Sequence, residues 1–543
     1  MNSENSQGRS PRALSPLLLA ALTALFLLMF ANVSLWRGTL HGLGHDLPGL
    51  VVLAIALFLL LTGLIHLLLW RWTAKPVVIF LLLVAAPLAY FMDTYGTYID
   101  TGMVRNAVET DTREVLGLMS WQLLAYFALI GVIPSLLVAW LPLKVSSWPR
   151  MALAKLLVFP ACLLLSVGLI WSDYQQLSSF GRNNRPLRYL INPVMPLYYT
   201  YRYFREQQLA NMPMQPLGRD ARKGPRLDGA KQGTLVVMVV GETARAADFS
   251  LNGYQRDTNP QLARRDVINY PQASSCGTET AVSLPCMFSV YDRDNYDHQK
   301  AVHTENLLDV LKHAGITVAW RDNNSGDKGV ADRVDYQELW DQKVPGICNG
   351  DRCFDDILLH NLQAYLDKHV GQDVFLVLHQ EGSHGPSYYL RYPQEFARFK
   401  PECKTKKLDQ CSHQEIINAY DNTILYTDHV LARVIDLLKQ NQSQFNTAML
   451  YMSDHGESTG EGGMYLHGMP YMIAPQTQKH IPYILWLSPA YRQAMSVNES
   501  CLRQRSDQPV SQDNLFSTVL GMFDIQTTVY RQNMDFIQPC RGD

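Results

Sequence analysis

Residues 448–457 read A-M-L-Y-M-S-D-H-G-E, an apolar run that ends in Asp454, His455 and Glu457. The run has the composition of a strand buried inside a sheet, and in open α/β sheets ligands bind at the edge where the strands end. A carboxylate and an imidazole at that edge are able to hold a metal ion or to move a proton. The same ten residues are also compatible with a solvated turn. The residues that follow the neighbouring strands are therefore needed to choose between the two interpretations.

Three further apolar runs precede this stretch and alternate with helix-like segments, which predicts a βαβ architecture. The runs occupy residues 234–240, 316–320 and 374–379. The polar residues that follow them are Glu242, Asn324, Lys328 and His384. Because parallel strands end at one edge of a sheet, we expect these side chains to meet Asp454 and His455. Packing alone does not explain so many polar strand ends, and the sequence therefore predicts a metal site.

Glu, Asp and His side chains without cysteine suit zinc or another borderline-to-hard divalent ion. A catalytic zinc keeps one position open and lowers the pKa of a water or hydroxyl group bound there. Candidate nucleophiles cluster around the segment S-S-C-G-T-E-T-A, residues 274–281. The chemistry alone leaves five hydroxyls open: Ser274, Ser275, Thr278, Thr280 and Ser283. A disulfide between Cys276 and Cys286, which bracket the segment, would hold the nucleophile in place.

Long apolar stretches dominate the first part of the chain. There are five of them: Leu17–Trp36, Leu50–Trp70, Val77–Met92, Leu123–Trp140 and Leu156–Trp171. The first two have the roughly 20 residues that a helix needs to cross a bilayer, and the others are near or just under that limit. A cleaved signal peptide is an alternative for the first stretch, but its apolar part is too long and further spans follow. We therefore predict an all-α domain of five transmembrane helices at residues 1–172.

Lysine and arginine in the connecting loops predict the orientation. Six of them flank the side that includes the N-terminus, namely Arg9, Arg12, Arg71, Lys75, Lys144 and Arg150. Three lie on the opposite side, namely Arg37, Arg105 and Arg113. The excess marks the cytoplasmic side. After an odd number of spans, the rest of the chain is expected outside the cytoplasm.

Cysteine usage agrees with an exported domain. Eight of the nine cysteines lie after the apolar stretches, and an even set in an exported domain indicates disulfides. Close sequential pairs are Cys276 with Cys286, Cys348 with Cys353, and Cys403 with Cys411, which leaves Cys501 and Cys540. Sequence alone does not determine connectivity. A zinc cluster of cysteines is the alternative, but the chain lacks its C-x2-C spacing.

Three segments carry weaker signals. Residues 185–206 combine tyrosines, arginines and prolines, which favours a helix lying at the membrane surface over a plain tether, and residues 212–233 are typical of a flexible linker. In the outward loop at 93–122, Asn106, Thr110 and Glu114 recur every four residues and so share one helix face. That face is either a solvated polar surface or a contact for lipid headgroups.

Several motifs together carry a family resemblance. They are V-G-E-T-A-R (240–245), F-S-L-N-G-Y (249–254), T-N-P (258–260), S-C-G-T-E-T-A-V-S-L-P-C-M-F-S (275–289), G-S-H-G-P (382–386), S-D-H-G-E-S (453–458) and Y-L-H-G (465–468). They resemble the lipid A phosphoethanolamine transferases, inner-membrane enzymes that include the mobile colistin-resistance proteins. The likeness spans essentially the whole chain. It implies a periplasmic catalytic domain at residues 233–543, of the alkaline phosphatase/sulfatase type with a mostly parallel central sheet, after an interfacial helix and linker at 173–232.

The resemblance also implies roles for individual residues. Thr280 matches the nucleophile, and the zinc ligands that it joins match Glu242, Asp454 and His455. His384 and His467 match residues that bind a second zinc or the substrate phosphate. Asn324 and Lys328 match phosphate or headgroup contacts. The membrane-side contacts to the ethanolamine lipid match Asn106, Thr110 and Glu114.

The resemblance implies a zinc-dependent transfer of phosphoethanolamine from phosphatidylethanolamine to a phosphate of lipid A, through a phosphoethanolamine-threonine intermediate. Such a transfer lowers the negative charge of the cell surface and gives polymyxin resistance. We expect a monomer, and a net charge of −2 with a pI near 6.7 excludes a basic surface for nucleic acid. Three alternatives stay open: transfer to an inner-core sugar, a periplasmic glucan or a protein, hydrolysis of the donor lipid, and a non-catalytic membrane scaffold.

Overall fold

The computed structural model describes residues 13–43, 46–101, 103–104, 108, 120–144, 146–210, 213–228, 230, 232–350, 352–406 and 408–542. The chain forms two compact units, Met1–Asn211 and Met212–Asp543. The predicted intervening segment, residues 173–232, is divided between these two units.

The first unit is helical. Its described helices are α1 Pro16–Phe30, α2 Val33–Leu43, α3 Leu47–Leu68, α4 Ala74–Tyr95, α5 Trp121–Trp140, α6 Trp148–Ser172, α7 Tyr174–Asn183 and α8 Val194–Ala210. In the described part of the chain, α3, α4, α5 and α6 are each long and apolar enough to cross a membrane. The bent pair α1 and α2 makes a fifth span if it is counted as one. The unit therefore holds four to five apolar helices of spanning length.

The first apolar stretch is not the continuous helix that the sequence predicts over residues 17–36. Helices α1 and α2 are bent by 67° relative to each other. Asn32, buried at the bend, donates from Nδ2 to the carbonyls of Leu27 and Asn192, both at 2.9 Å. Asn192 N donates in return to Asn32 Oδ1 at 2.8 Å. Because the partner lies 160 positions away, the local sequence carries no signal for this bend.

The second unit is built on a seven-stranded sheet. The strands of the unit are β1 Arg222–Lys223, β2 Gly233–Gly241, β3 Ile268–Asn269, β4 Ala273–Ser274, β5 Thr317–Asp322, β6 Asp335–Glu338, β7 Cys348–Asn349, β8 Arg352–Cys353, β9 Val374–His379, β10 Phe445–Ser453, β11 Ser458–Thr459, β12 Tyr465–Leu466, β13 His480–Ile481, β14 Tyr483–Leu487, β15 Val510–Ser511 and β16 Ile525–Gln526. The large sheet has the order β3-β14-β10-β2-β9-β5-β6. Its pairings from β10 to β6 are parallel, whereas β14 pairs antiparallel with β10 and with β3. The sheet is therefore mixed.

Strand β2 lies at the centre, and every residue of it is buried. A continuous apolar run is stable there because helices cover both faces of the sheet. The register aligns Gly241 with Ser453 on β10, and Val240 with His379 on β9. His379 is in turn aligned with Asp322 on β5. The carboxyl ends of four neighbouring strands are therefore level with one another.

Helices pack on both faces of this sheet. They are α9 Thr280–Met287, α10 His298–Val302, α11 Leu307–His313, α12 Leu362–Asp367, α13 His413–Gln440, α14 Gln476–Lys479, α15 Pro489–Ala494, α16 Glu499–Gln504 and α17 Leu515–Met522. Alternate residues of β2 join two separate cores, one shared with α11 and α17 and the other with α13. Helix α13 begins with a capping box of Ser412 and Glu415, which satisfies free N–H groups of its first turn.

Four disulfides lie in the second unit. They join Cys276 to Cys286, Cys348 to Cys353, Cys403 to Cys411, and Cys501 to Cys540. The remaining cysteine, Cys162, is free and lies on α6.

Candidate active site and metal centre

The side chain of Thr280 contacts residues that follow two strands, at the edge where the parallel strands of the sheet end. Its Oγ1 donates to Glu242 Oε2 at 3.0 Å and lies 3.4 Å from His455 Nε2. Glu242 follows β2 and His455 follows β10, and both are fully buried, whereas Thr280 is partly exposed. The hydroxyl of this partly exposed residue thus contacts groups able to bind a metal ion.

The tautomer of His455 can be assigned from its surroundings. Its Nδ1 lies 2.9 Å from the carbonyl oxygen of Gly456, which can only accept a hydrogen bond, so Nδ1 carries the proton. The lone pair of Nε2 then points at Glu242 Oε1, 3.5 Å away, and at Asp454 Oδ2, 3.2 Å away. Among the described residues, Asp454 Oδ2 is buried without a hydrogen-bond donor.

This arrangement fits a divalent cation. Two buried carboxylates and an imidazole lone pair that face one another repel unless a positive charge lies between them. Oxygen and nitrogen ligands of this kind, with a hydroxyl as the fourth group, are a donor set that zinc accepts. The ligand atoms of Glu242, His455 and His467 also lie within 4.8 Å of one another. The residues present therefore fit the metal that the sequence predicts.

The pKa values of the two carboxyl groups reflect this crowding. Burial, followed by the charge of Glu242, raises the pKa of Asp454 well above its ordinary value. Burial also opposes the ionisation of Glu242, but positive charge on the nearby histidines outweighs it and lowers the pKa of Glu242 to about 2. Positive charge beside Glu242 therefore stabilises its carboxylate, and a bound cation would supply that charge while His455 stays neutral.

The predicted nucleophile segment, residues 274–281, is held from two sides. Thr280 is the first residue of α9, and the disulfide between Cys276 and Cys286 joins the preceding loop to that helix. Gln512 holds the loop to the end of β10, because its Oε1 accepts from Cys276 N at 2.6 Å and its Nε2 donates to Asp454 O at 2.7 Å. The free N–H groups at the start of a helix favour an anion beside Thr280.

A buried chain of hydrogen bonds supports Glu242 from behind. Asn324 Nδ2 donates to Glu242 Oε2 at 2.9 Å and lies 3.3 Å from His379 Nε2. His379 Nδ1 lies 2.8 Å from Asp322 Oδ2, which also accepts from Trp320 Nε1 at 2.9 Å. Asp322 therefore selects the Nδ1-protonated form of His379, and the amide of Asn324 is oriented to donate to Glu242.

Two further histidines, His384 and His467, lie beside this cluster. The ring centroid of His467 lies 4.4 Å from that of His455 and 5.7 Å from that of His384. His467 Nδ1 is 3.3 Å from Glu457 Oε1, and the other oxygen of Glu457 accepts from Tyr388 OH at 3.2 Å. A buried carboxylate behind the imidazole fixes its orientation, as is usual for histidines that bind metals or phosphates.

Comparison with known proteins decides the family. The sulfatase family matches residues 234–525, and the family described as phosphoethanolamine transferase EptA/EptB matches residues 57–208. The chain is 40% identical over 530 residues to phosphoethanolamine transferase EptA of Salmonella typhimurium, with 96% of each chain covered. This chain belongs to the phosphoethanolamine transferase family.

Two other similar proteins agree. Phosphatidylethanolamine transferase Mcr-1 of Escherichia coli is 38% identical and covers 97% of this chain and 98% of its own length. The solved integral membrane protein lipooligosaccharide phosphoethanolamine transferase A of Neisseria meningitidis is 35% identical, with a TM-score of 0.65 over 97% of this chain and 99% of that chain. The resemblance that the motifs indicate is thereby confirmed.

Other residues predicted for the transferase site make no hydrogen bond to this cluster among the described residues, or lie outside the described residues. Lys328 Nζ donates to the carbonyl and the hydroxyl of Ser325, within its own loop. Asn106, Thr110 and Glu114 lie outside the described residues. The roles given to these residues stay predictions.

Several residues of the transferase site carry no sequence signal that singles them out. His379 is the last residue of β9 and closes the apolar run 374–379, whereas Asp322 is the last residue of β5 and lies two residues beyond the run 316–320. Gln512 lies 236 positions from its partner Cys276. The alignment of neighbouring strands would have identified His379 and Asp322, because both are level with the end of β2. No local sequence pattern identifies Gln512.

Proposed function

We propose that this protein transfers phosphoethanolamine from phosphatidylethanolamine to a phosphate of lipid A. The observation that carries the proposal is the position of Thr280 Oγ1, 3.0 Å from Glu242 Oε2 and 3.4 Å from His455 Nε2. A threonine hydroxyl placed against such ligands has the role of an activated nucleophile. Family membership supports the choice of phosphoethanolamine as the transferred group.

Glu242, Asp454 and His455 would hold a zinc ion, with Thr280 Oγ1 at the fourth position. A bound zinc would lower the pKa of the threonine hydroxyl and neutralise charge on the phosphoryl oxygens. Asn324 keeps Glu242 oriented towards Thr280 through its 2.9 Å hydrogen bond. The carbonyl of Gly456 keeps the proton of His455 on Nδ1, so that Nε2 stays available as a ligand.

In the first half of the reaction, Thr280 Oγ1 loses its proton to solvent and attacks the phosphorus of the donor, and the bond from phosphorus to the diacylglycerol oxygen breaks. The diacylglycerol oxygen takes a proton from His384 or His467, which lie beside the cluster of Thr280, Glu242 and His455. The first N–H groups of α9 and Lys328 bind the phosphoryl oxygens. In the second half, a phosphate oxygen of lipid A attacks the phosphorus of the phosphoethanolamine-threonine, and the bond from phosphorus to Thr280 Oγ1 breaks. Thr280 and the histidine then each regain a proton from solvent.

The apolar helices of the first unit would keep the reaction close to its lipid substrates. We propose that α1 with α2 and the four other long apolar helices make five spans of the inner membrane, that the second unit lies in the periplasm, and that the protein acts as a monomer. Asn106, Thr110 and Glu114 would contact the ethanolamine headgroup. Transfer would lower the negative charge of the outer surface and reduce the binding of cationic polymyxins.

Mass spectrometry of lipid A from cells that express the chain tests this proposal. We expect lipid A to gain one or more phosphoethanolamine groups with the natural chain and none with Thr280→Ala, although that variant stays folded and loaded with zinc. Modified lipid A in the Thr280→Ala cells would contradict the proposal. Phosphoethanolamine on an inner-core sugar, a glucan or a protein instead would correct the acceptor, and its release as a free product would identify a hydrolase.

A further inference from the structure

The loop of residues 468–475, G-M-P-Y-M-I-A-P, exposes two adjacent large apolar side chains. We name it the tip loop. Met472 is 96% exposed and Ile473 is 68% exposed. Among the described residues of the second unit, the next most exposed large apolar side chain is Val370, at 49%. Single exposed apolar residues are common, but two adjacent ones at these values are typical of a surface that binds an apolar partner.

The exposed pair is held by a well-formed turn. The backbone N–H groups of Ile473 and Ala474 both donate to the carbonyl of Pro470, at 3.0 and 2.9 Å. Ala474 is buried beneath the turn. Met472 and Ile473 therefore project from an ordered turn whose base packs into the domain.

The tip loop is hydrogen-bonded to the nucleophile segment. Gly468 N donates to Thr278 O at 2.8 Å, and Thr278 Oγ1 donates to Met469 O at 2.5 Å. Tyr471 OH donates to Ser275 O at 2.9 Å. Because the same segment continues into Thr280, any surface that binds the exposed pair is brought beside the nucleophile.

Two cations flank the base of the tip loop. The Arg293 guanidinium lies 4.2 Å from the ring centroid of Tyr471, and Lys479 Nζ lies 5.2 Å from it. Arg293 also pairs with Asp294 at 2.7 Å, whereas no carboxylate among the described residues lies within 4.0 Å of Lys479. The tip loop has apolar side chains at its tip, a tyrosine behind them and cations at its base. This order matches the acyl, headgroup and phosphate layers of a bilayer.

We propose that the tip loop inserts Met472 and Ile473 into the acyl layer of a phospholipid bilayer, with Arg293 and Lys479 at the lipid phosphates. Insertion holds the nucleophile segment at the depth where the phosphodiester of a lipid donor lies. The inference rests on the proposed function in one respect, namely that the donor is a lipid. The tip loop would thus supply a second membrane contact, in addition to the apolar helices.

A fluorescent probe at the tip measures insertion without reference to catalysis. The full chain carries Cys162→Ser, so that only an introduced cysteine reacts, and Met472→Cys is labelled with an environment-sensitive dye. The matched control is Val370→Cys. In vesicles of phosphatidylethanolamine and phosphatidylglycerol, we expect a blue-shifted emission that is quenched by lipids brominated in the acyl chain at position 472, and neither effect at position 370. Unshifted, unquenched emission at position 472 would overturn the proposal.

Kinetics of the unlabelled protein separate membrane docking from chemistry. The double variant Met472→Ser with Ile473→Ser should raise the apparent KM for a donor in vesicles about tenfold, since two apolar side chains lose their burial. The kcat/KM for a water-soluble short-chain donor should not change, and Met472→Leu with Ile473→Leu should behave as the natural chain. An equal loss on both donors would overturn the proposal, because the loop would then act on the reaction itself. Transfer by none of the variants, including the natural chain, would contradict the proposed function, and the probe result would still decide the insertion.

Discussion

At the scale of single residues, the site depends on the placement of buried negative charge. Glu242 and Asp454 are both fully buried, and each lies within 3.5 Å of His455 Nε2. No described donor satisfies Asp454 Oδ2. A buried carboxylate without a partner destabilises a fold, so the metal-free protein is expected to be weakened at this point, and metal binding and stability should be linked.

Asp454→Asn tests this link directly. The amide keeps an oxygen for the N–H groups of Thr243 and His455, which Asp454 Oδ1 accepts at 3.1 and 2.7 Å. Its nitrogen can donate to His455 Nε2 in place of a repelling oxygen. After treatment with a chelator, we expect the variant to melt about 1–2 °C above the natural chain, as for a gain of about 1 kcal/mol. It should also gain no stability from added zinc.

Asp355→Asn is the matched control. Asp355 is also buried, but its oxygens accept from Asn323 Nδ2, Glu381 N and Gly382 N. An amide there turns an N–H group towards these donors, so the variant should melt lower both with and without zinc. A chelated Asp454→Asn protein that melts below the chelated natural chain would contradict a metal role for Asp454.

At the scale of elements, apolar runs predict the centre of the sheet well. The runs 234–240, 316–320 and 374–379 correspond to the observed β2, β5 and β9 within two residues. These strands are buried on both faces, which leaves a continuous apolar signature. Strand β14, which lies between β3 and β10, is equally apolar, but its antiparallel direction follows from a connection that no local pattern reveals. The bend between α1 and α2 has the same cause, since Asn32 depends on Asn192.

The candidate site could be predicted in part for the same reason. Glu242, Asp454 and His455 follow apolar strands directly, and such residues are brought together by the parallel register. The chemistry of the segment does not distinguish Thr280 from the four other hydroxyls, because the distinction depends on where α9 begins in the folded protein. The polar residues behind Glu242 were missed, since their function comes from hydrogen bonds between strands.

The disulfide between Cys276 and Cys286 gives a test at this scale. It closes a loop of 10 residues that ends in the helix of the nucleophile. Removing it with Cys276→Ala and Cys286→Ala should lower the free energy of unfolding by about 3 kcal/mol from loop entropy. Transfer should fall at least about tenfold as well, because Thr280 loses its fixed position. Thermal melts and transfer assays on the same preparation measure both effects.

The disulfide between Cys348 and Cys353 provides the comparison. It closes a shorter loop of 5 residues in the hairpin of β7 and β8, and its removal should cost about 2 kcal/mol while transfer stays at the natural rate. Equal loss of transfer in the two variants would show that general stability, and not the position of Thr280, limits the reaction.

At the scale of the whole molecule, the chain combines a helical unit with a second unit, which the proposed function makes the catalytic one. All four disulfides and both large cores lie within Met212–Asp543. A unit with its own core is expected to fold alone. The apolar helices then contribute mainly by keeping the catalytic unit at the bilayer, where the effective concentration of lipid is high.

Residues 213–543 produced alone test this division of roles. We expect a folded protein that binds zinc and accepts phosphoethanolamine from a water-soluble short-chain donor. With a donor in vesicles, its rate should fall at least about a hundredfold below that of the full chain, because the tether is lost. Circular dichroism, zinc analysis and the two transfer assays cover these points. An unchanged rate on vesicles would contradict the anchoring role.

The covalent state of Thr280 is the most direct test of the chemistry. The purified full chain is incubated with phosphatidylethanolamine in the absence of lipid A, digested, and its peptides are analysed by mass spectrometry. We expect the peptide with Thr280 to carry one phosphoethanolamine, bonded to the threonine oxygen and lost again when lipid A is added. A chain that modifies lipid A while Thr280 never carries this group would contradict the assignment of Thr280 as the nucleophile.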